Sequence, residues 1–493
     1  MHIQRIQVPD FRALKNVDIT FEKEFTPRIF PLGSQNGGGK STLLQLIFVL
    51  LHCSGNPDRV EFIQNLLDGF HVNDESGKRT LAIIDIWDGS KTVRLDFFVG
   101  NDYYLENLLF TSDDINNSQE LVSNHRKNLK FQSELHLLNV HLQKLLDIAN
   151  INKVESNSFL IEREINKIKK YIKDIDFRKY VDNLHNAKIQ TIESRVYKIK
   201  EVINEILNSR AEASDNIYNY FHEKQIEGHI LFFVELLKKE KNIHICDFVV
   251  KKNRQENSLL CYTDSIDTTE TSKFLSELSS KIFFSAHISQ IFLFLAQDMR
   301  KKLFTKQNNN YWLQDEYYGY LKEQKDKLPG LFTYDFLAID TINEAFKDAR
   351  DDDFKQAIIV GEYGNSYKKL LEELHNILVN KKVNINVNLS GVNFTLDIDD
   401  TELSPEDLSH GELKRLCIYT WLKHNKIEDA IVLMDELEIS FHPDWQYQIV
   451  RDLEEWGATN QYILATHSYE LCNAVTPAHV KELDPKLQAR TIQ

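Results

Sequence analysis

The chain of 493 residues is long enough for two or three soluble domains, and at 42% hydrophobic and 27% charged residues its composition excludes a disordered or fibrous protein. A net charge of −15, from 59 basic against 74 acidic residues, argues against whole-surface attraction to nucleic acid or anionic membrane and confines any such contact to a local patch. The five cysteines (Cys53, Cys246, Cys261, Cys417 and Cys472) are scattered, with no CxxC and no paired histidine, so free thiols are expected rather than a zinc site or a disulfide framework. The N-terminal MHIQRIQVPDF lacks the apolar core of a signal peptide. The most apolar run, LLQLIFVLL after Thr42, falls short of the ~20 residues a bilayer needs. A cytoplasmic protein without a membrane partner is expected.

In chain order, IQRIQVPDF and VDITFE read as a strand pair, RIF leads into a Gly-rich loop followed by an apolar helix, and TLAIIDIWDGSKTVRLDFFVG reads as a hairpin around DGSK. From about 115 to 240 the pattern turns helical. Ile161, Ile165, Ile168, Ile172 and Ile175 alternate spacings of four and three, as do Ile192, Val196, Ile199, Ile203 and Ile206. Each seam covers about two heptads, which fits the amphipathic helices of a helical domain or a short antiparallel coiled-coil hairpin. FFSAHISQIFLFLAQDMRKKLF (283–304) is apolar nearly all round and is expected to be a buried helix. After about 380, VNINVNLSGVNFTLDIDD alternates as strands and ends in an acidic turn. The expected organisation is an α/β head with a mixed sheet, with one lobe at 1–112 and the other at 381–493, split by a mainly helical insertion at 113–380.

FPLGSQNGGGKST (30–42) carries the first chemistry. A phosphate-binding loop is written G-x-x-x-x-G-K-[ST]; here Gly39, Lys40 and Ser41 fit, but Ser34 stands in the first glycine slot and Gly33 lies one place early. Successive backbone N–H groups and a helix N-terminus bind phosphate in such a loop. Asn36, Gly37, Gly38, Gly39, Lys40, Ser41 and Thr42 are therefore the candidate phosphate residues, with Lys40 the cation and Ser41 the hydroxyl for Mg²⁺. The plainer alternative is a tight Gly-rich turn, and Pro31 in the preceding strand also fits poorly because it cannot donate to a ladder. Gly33 is expected to take up the tight turn.

AIVLMDE (430–436) is an apolar strand ending in two carboxylates. Beside a phosphate loop the first, Asp435, would hold Mg²⁺ and the second, Glu436, would orient and deprotonate an attacking water. Taken alone, charged residues also simply cap strands. LSHGELKR (408–415) places a serine and a glycine at a helix N-terminus, and ILATHS (463–468) is an apolar strand ending in His467. With the phosphate loop and the DE pair, these two motifs resemble the ABC-type ATPases of the SMC, RecF and RecN class, in which LSxGE is the signature that binds a second protomer's γ-phosphate and the histidine senses that phosphate. The resemblance assigns Ser409, Gly411 and Glu412 to the signature and His467 to the switch. It also places Glu438, His442 and Pro443 of ELEISFHPDWQ in the D-loop. Gln64 becomes a Q-loop candidate for the metal by its order in the chain. FRALKNVDITFE resembles the opening of these heads, with Arg12 either reaching the nucleotide or lying on the surface.

The resemblance implies an ATPase using ATP and Mg²⁺, with two heads joined around the nucleotide as a homodimer, alone or within a larger ring or hexamer. About twenty-five residues follow His467, too few for a Toprim domain, and RDDDF (350–354) and LDIDD (396–400) are more simply solvated turns than nuclease acids. Any nuclease is thus expected in a separate subunit. The chain looks most like the Septu-type antiphage ATPases (PtuA), found also with retrons, which work with an HNH nuclease (PtuB). Partners on that reading include retron msDNA or its reverse transcriptase. The PARIS-type ATPase (AriA) with its Toprim effector, and an SMC/RecF-like repair ATPase that binds DNA directly, remain the alternatives.

Overall fold

The computed structural model describes residues 1–35, 37–72, 76–101, 103–105, 241–250, 255–264, 266–287, 294–295, 323–334, 339–386, 388–389 and 391–483. The chain divides into two compact units, residues 1–101 with 241–493 and residues 102–240. Both heptad seams and residue Asn36 lie outside the described residues.

The first unit opens with β1 (His2–Phe11) and β2 (Leu14–Thr20), then β3 (Ile29–Gly33), α1 (Lys40–Cys53) and α2 (Val60–Leu66). Next come β4 (Lys78–Trp87) and β5 (Thr92–Asn101), joined where the Asp88 carboxylate accepts the N–H groups of Ser90 and Lys91. After residue 240 the chain adds β6 (Asn242–Val250), β7 (Gln255–Tyr262), α3 (Thr268–Ser279), β8 (Ile282–Ala286) and β9 (Leu331–Thr333). It continues with α4 (Ile339–Val360), α5 (Ser366–Ile377), β10 (Lys381–Ile385), β11 (Val392–Leu396) and β12 (Glu402–Leu403). The last elements are α6 (His410–His424), β13 (Ile431–Asp435), α7 (Pro443–Trp456), β14 (Gln461–Thr466), α8 (Tyr469–Asn473) and β15 (Lys481–Glu482).

These strands form two six-stranded sheets. One is antiparallel, in the order β2-β1-β4-β5-β7-β6, and one is parallel, in the order β15-β3-β14-β13-β8-β9. A small antiparallel sheet, β10-β11-β12, completes the set. The parallel sheet is covered on both faces, as an all-parallel sheet must be. Along β13, Ile431 and Leu433 enter one core with α1 and the antiparallel sheet, while Val432 and Met434 enter the other with α4, α6 and α7. A strand buried on both sides reads as a continuous apolar run, which is why AIVLMDE shows no alternation.

The expected helix at 283–304 is corrected at its start. Residues 282–286 are β8, paired parallel to β13, with Ile282, Phe284 and Ala286 in the first core and Phe283 against the second. A short apolar run bounded by Lys281 and His287 suits a doubly covered strand as well as a helix, and periodicity does not separate the two. The expected insertion at 113–380 likewise contains β6, β7, β8 and β9, all strands of the two large sheets, and the second compact unit spans only 102–240. RDDDF (350–354) is not a turn but lies inside α4. Its Asp353 is buried and accepts the Ser366 and Tyr367 N–H groups at the start of α5. LDIDD ends, as expected, in a turn after β11.

Candidate active site

β3, β13 and β14 are neighbours in the parallel sheet and all deliver their C-terminal ends to one edge, the usual place for a ligand in open α/β sheets. Pro31 is accommodated in β3. The Gly33 carbonyl accepts the Leu483 N–H on the β15 side, and by strand alternation Pro31 turns the same way, where pairing with β15 begins only at Leu32. Gly33 is itself the last residue of β3, paired with Thr466, so it does not make the tight turn expected of it. The left-handed conformations fall on Gly37 (φ 80°) and Gly39 (φ 90°).

Gly39 is the N-cap of α1. Among the described residues no side chain caps this helix, and its first turn holds no acid, so its positive end is available to an anion. A Cβ on Gly39 would stand 2.7 Å from Leu14 Cδ2, because the tip of the β1–β2 hairpin packs on the loop. Lys40, buried at the first position of α1, donates to the carbonyl (3.1 Å) and hydroxyl (3.0 Å) of Ser34 and lies 3.5 Å from His467 Nδ1. Burial lowers its pKa, against the opposing pull of Asp435, Glu438 and Glu436. Ser34, the residue in the glycine slot, thus serves as an acceptor for the loop lysine. Thr42 follows on α1, partly buried.

Ser41 Oγ donates to Asp435 Oδ1 at 3.1 Å, joining residues 394 positions apart. Asp435 ends β13 and is 1% exposed. Glu436 follows in the left-handed region (φ 51°), which a side-chain-bearing residue adopts at a cost of about 1–3 kcal/mol. Its N–H donates to Ala465 at 3.0 Å. Buried Glu438 accepts the His467 N–H at 2.7 Å, and Ser468 Oγ donates to Gln446 Oε1 on α7 at 2.6 Å. Glu436, Glu438, His467 and Ser468 line a pocket of about 370 Å³. His442 and Pro443 are the N-cap and first residue of α7, so the HP pair starts a helix here.

Hydroxyl and carboxylate oxygens suit a hard divalent cation that keeps water and phosphate oxygens in its shell. Among the described residues no group of three His, Cys, Asp or Glu forms an all-protein cage. Ser41 and Asp435 therefore fit Mg²⁺ delivered with a nucleotide. Gln64 does not join them: its Nε2 donates to the Asp247 carbonyl on β6 at 2.7 Å. Arg12 donates to the Leu66 carbonyl at 2.9 Å and lies over the Phe11 ring.

The signature residues form a separate feature. Ser409 is the N-cap of α6 and shares a capping box with Glu412: Ser409 N and Oγ donate to Glu412 Oε2 at 3.1 and 2.9 Å, and the Glu412 N–H donates to Ser409 Oγ at 3.2 Å. Glu412 also pairs with Lys381. Burial opposes its charge, but the Lys381 ammonium and the Ser409 donors outweigh that and hold the carboxyl below its usual range. Gly411 is needed for close packing, since a Cβ there would stand 2.7 Å from the Ser440 carbonyl oxygen. None of the hydrogen bonds of Ser409 described here reaches the phosphate loop of its own chain.

Sequence reasoning missed Ser34 as the partner of Lys40, Lys381 as the partner of Glu412, and Lys414. The last is buried in α6, and burial pulls its pKa down to about 7 against Glu438 and Glu436. The signal was present in LSHGELKR, where Lys414 and Arg415 follow the apolar Leu413 on a helix that is apolar on most sides.

The model of a family described as AAA ATPase domain matches residues 1–472. Among curated relatives, the Retron Ec83 probable ATPase of Escherichia coli is 26% identical over 150 residues, covering 25% of this chain and 28% of that protein. The Retron Vc95 probable ATPase of Vibrio cholerae serotype O1 biovar El Tor is 34% identical over 107 residues, covering 19% and 21%. The alignments thus span less than a third of either relative. A solved Smc head bound to the C-terminal winged-helix domain of ScpA aligns over 96% of this chain and 93% of that one at 9% identity with a TM-score of 0.35, too low to add to the topology above. No described helix is long and apolar enough to cross a membrane. The phosphate loop, the DE strand and the match over nearly the whole chain agree: the protein belongs to the AAA ATPase domain family.

Proposed function

We propose that this chain binds and hydrolyses ATP and uses the two states to control a separate nuclease of an antiphage defence system. The observation that carries the ATPase reading is the meeting of Lys40, Ser41, Asp435 and His467 at one sheet edge, from opposite ends of the chain. Lys40 leaves Ser34 to neutralise phosphate charge, and the N–H groups at the start of α1 donate to the phosphate oxygens. Ser41 and Asp435 would hold the cation, which would offset charge on the phosphate oxygens. Glu436 takes a proton from the attacking water, and His467 donates to the γ-phosphate from the end of β14.

Ser409 stands exposed at the N-terminus of α6, with Gly411 packed behind it, and its side-chain hydrogen bonds described above stay within the capping box with Glu412, which supports a role toward the nucleotide of a second copy. ATP then joins two heads as a homodimer, alone or within a larger ring, and hydrolysis releases them. A Ser409→Arg chain and a Lys40→Ala chain, each inactive alone, should regain up to about a quarter to a half of the parental activity when mixed, because one composite site is restored. No recovery in a mixture shown to form mixed dimers would reject shared sites.

The defence role rests on the two relatives whose names place them with retrons. Within that role we favour an HNH effector of the Septu type over a Toprim effector. Co-expression with the neighbouring reading frames, followed by purification through this chain, tests it. Recovery of an HNH protein supports the reading, a Toprim protein favours the alternative, and tight DNA binding with no protein partner points to direct action on DNA.

A further inference from the structure

The signature helix holds a second functional group five residues beyond Ser409. Lys414 is 8% exposed, and its Nζ donates to the carbonyls of Glu436 (3.2 Å), Leu437 (2.8 Å) and Ile439 (3.2 Å). It also lies 4.0 Å from the centroid of the Tyr334 ring and 5.3 Å from that of Phe441. An ammonium has three N–H donors, and three convergent carbonyls use them all. Burying a lysine is unfavourable unless its charge is met by such partners, so packing alone would be better served by Leu or Met.

The three carbonyls belong to the turn that follows β13. That turn contains Glu436 in its left-handed conformation and Glu438 on the His467 N–H. Without the ammonium, three inward-facing carbonyls would lose their shared donor at the point where the backbone is already strained. We infer that Lys414 is a positioning residue for Glu436: by holding the carbonyls of Glu436, Leu437 and Ile439 it fixes the backbone from which the Glu436 carboxylate enters the pocket. It also joins that backbone to the helix whose N-terminus carries Ser409 and Gly411, so that a displacement of α6 reaches the carboxylate directly.

The inference rests on Glu436 as the base, and the test separates the two. Lys414→Met removes the charge at similar volume, and Lys414→Arg keeps the charge but replaces a point-like ammonium with a planar fork that does not suit three convergent carbonyls. Both variants should bind a fluorescent ATP analogue within about twofold of the parental Kd. Their kcat should fall, about tenfold or more for Met and severalfold for Arg. In a Glu436→Gln background neither should lower the residual rate further, since the group being positioned is gone. Parental kcat in either folded variant, or a loss that multiplies in full onto Glu436→Gln, overturns the inference. If Lys414→Met fails to fold, Lys414→Arg decides alone. Parental turnover by Glu436→Gln itself would remove the base assignment, whatever the Lys414 variants do.

Discussion

Glu438 accepts the backbone N–H of His467 at 2.7 Å, so the turn after β13 and the end of β14 are held together by one buried carboxylate. A hydrogen bond to a charged group contributes roughly 1.5–3 kcal/mol. Glu438→Ala should therefore free the histidine and lower kcat about tenfold, with nucleotide affinity changed much less. Glu438→Gln keeps an amide oxygen as acceptor and should retain more of the rate. Equal losses in the two variants, measured by steady-state kinetics, would show that the acceptor is not what matters.

Ser34 occupies Lys40 through both its carbonyl and its hydroxyl. Ser34→Ala removes the hydroxyl acceptor that competes with phosphate, worth about 1 kcal/mol, and should tighten ATP binding about two- to fivefold by calorimetry. Gly33→Ala should be silent, because the nearest atom to an added Cβ is Lys481 O at 4.0 Å. Gly39→Ala, with φ 90° and Leu14 Cδ2 in the way, should abolish binding. A serine variant with weaker ATP binding would mean that the hydroxyl helps to cradle the phosphate.

His52 links pH to the stability of the first core. It is 2% exposed, donates from Nδ1 to the Ser279 carbonyl at 2.7 Å and stacks on Phe48. Burial, with Arg59 adding to it, pulls its pKa from 6.5 to about 3. Between those values the unfolded chain binds a proton that the folded chain refuses, so stability falls as pH drops from about 6.5 toward 3. The limiting slope is about 1.4 kcal/mol per pH unit. His52→Gln, which still donates to the carbonyl, should lose less stability than the parent between pH 7 and pH 5 in urea melts. An identical loss would place the acid sensitivity elsewhere.

Much of the site was legible in the sequence because its parts lie at element boundaries with distinct composition. Gly39–Lys40–Ser41 opens an apolar helix, Asp435–Glu436 closes an apolar strand, and Ser409 with Glu412 is a capping box readable as S-x-x-E. The β1–β2 pair and the β4–β5 hairpin follow from alternation and a DGSK turn. What was not legible depended on pairing between distant segments. β8 looks helical until β13 lies beside it, and the hydrogen bond of Gln64 to the Asp247 carbonyl leaves no mark in the neighbours of Gln64. The position of Ser34 likewise becomes intelligible only with Lys40 folded back across the loop.

The central claim is that Glu436 drives ATP hydrolysis at this sheet edge. Parental protein and Glu436→Gln should be incubated with ATP and Mg²⁺, and both turnover and the identity of the bound nucleotide measured. The account predicts that the parent releases ADP and phosphate, while Glu436→Gln binds ATP, loses turnover by about a hundredfold or more and elutes with intact ATP as an associated species. Hydrolysis by Glu436→Gln at the parental rate would contradict it.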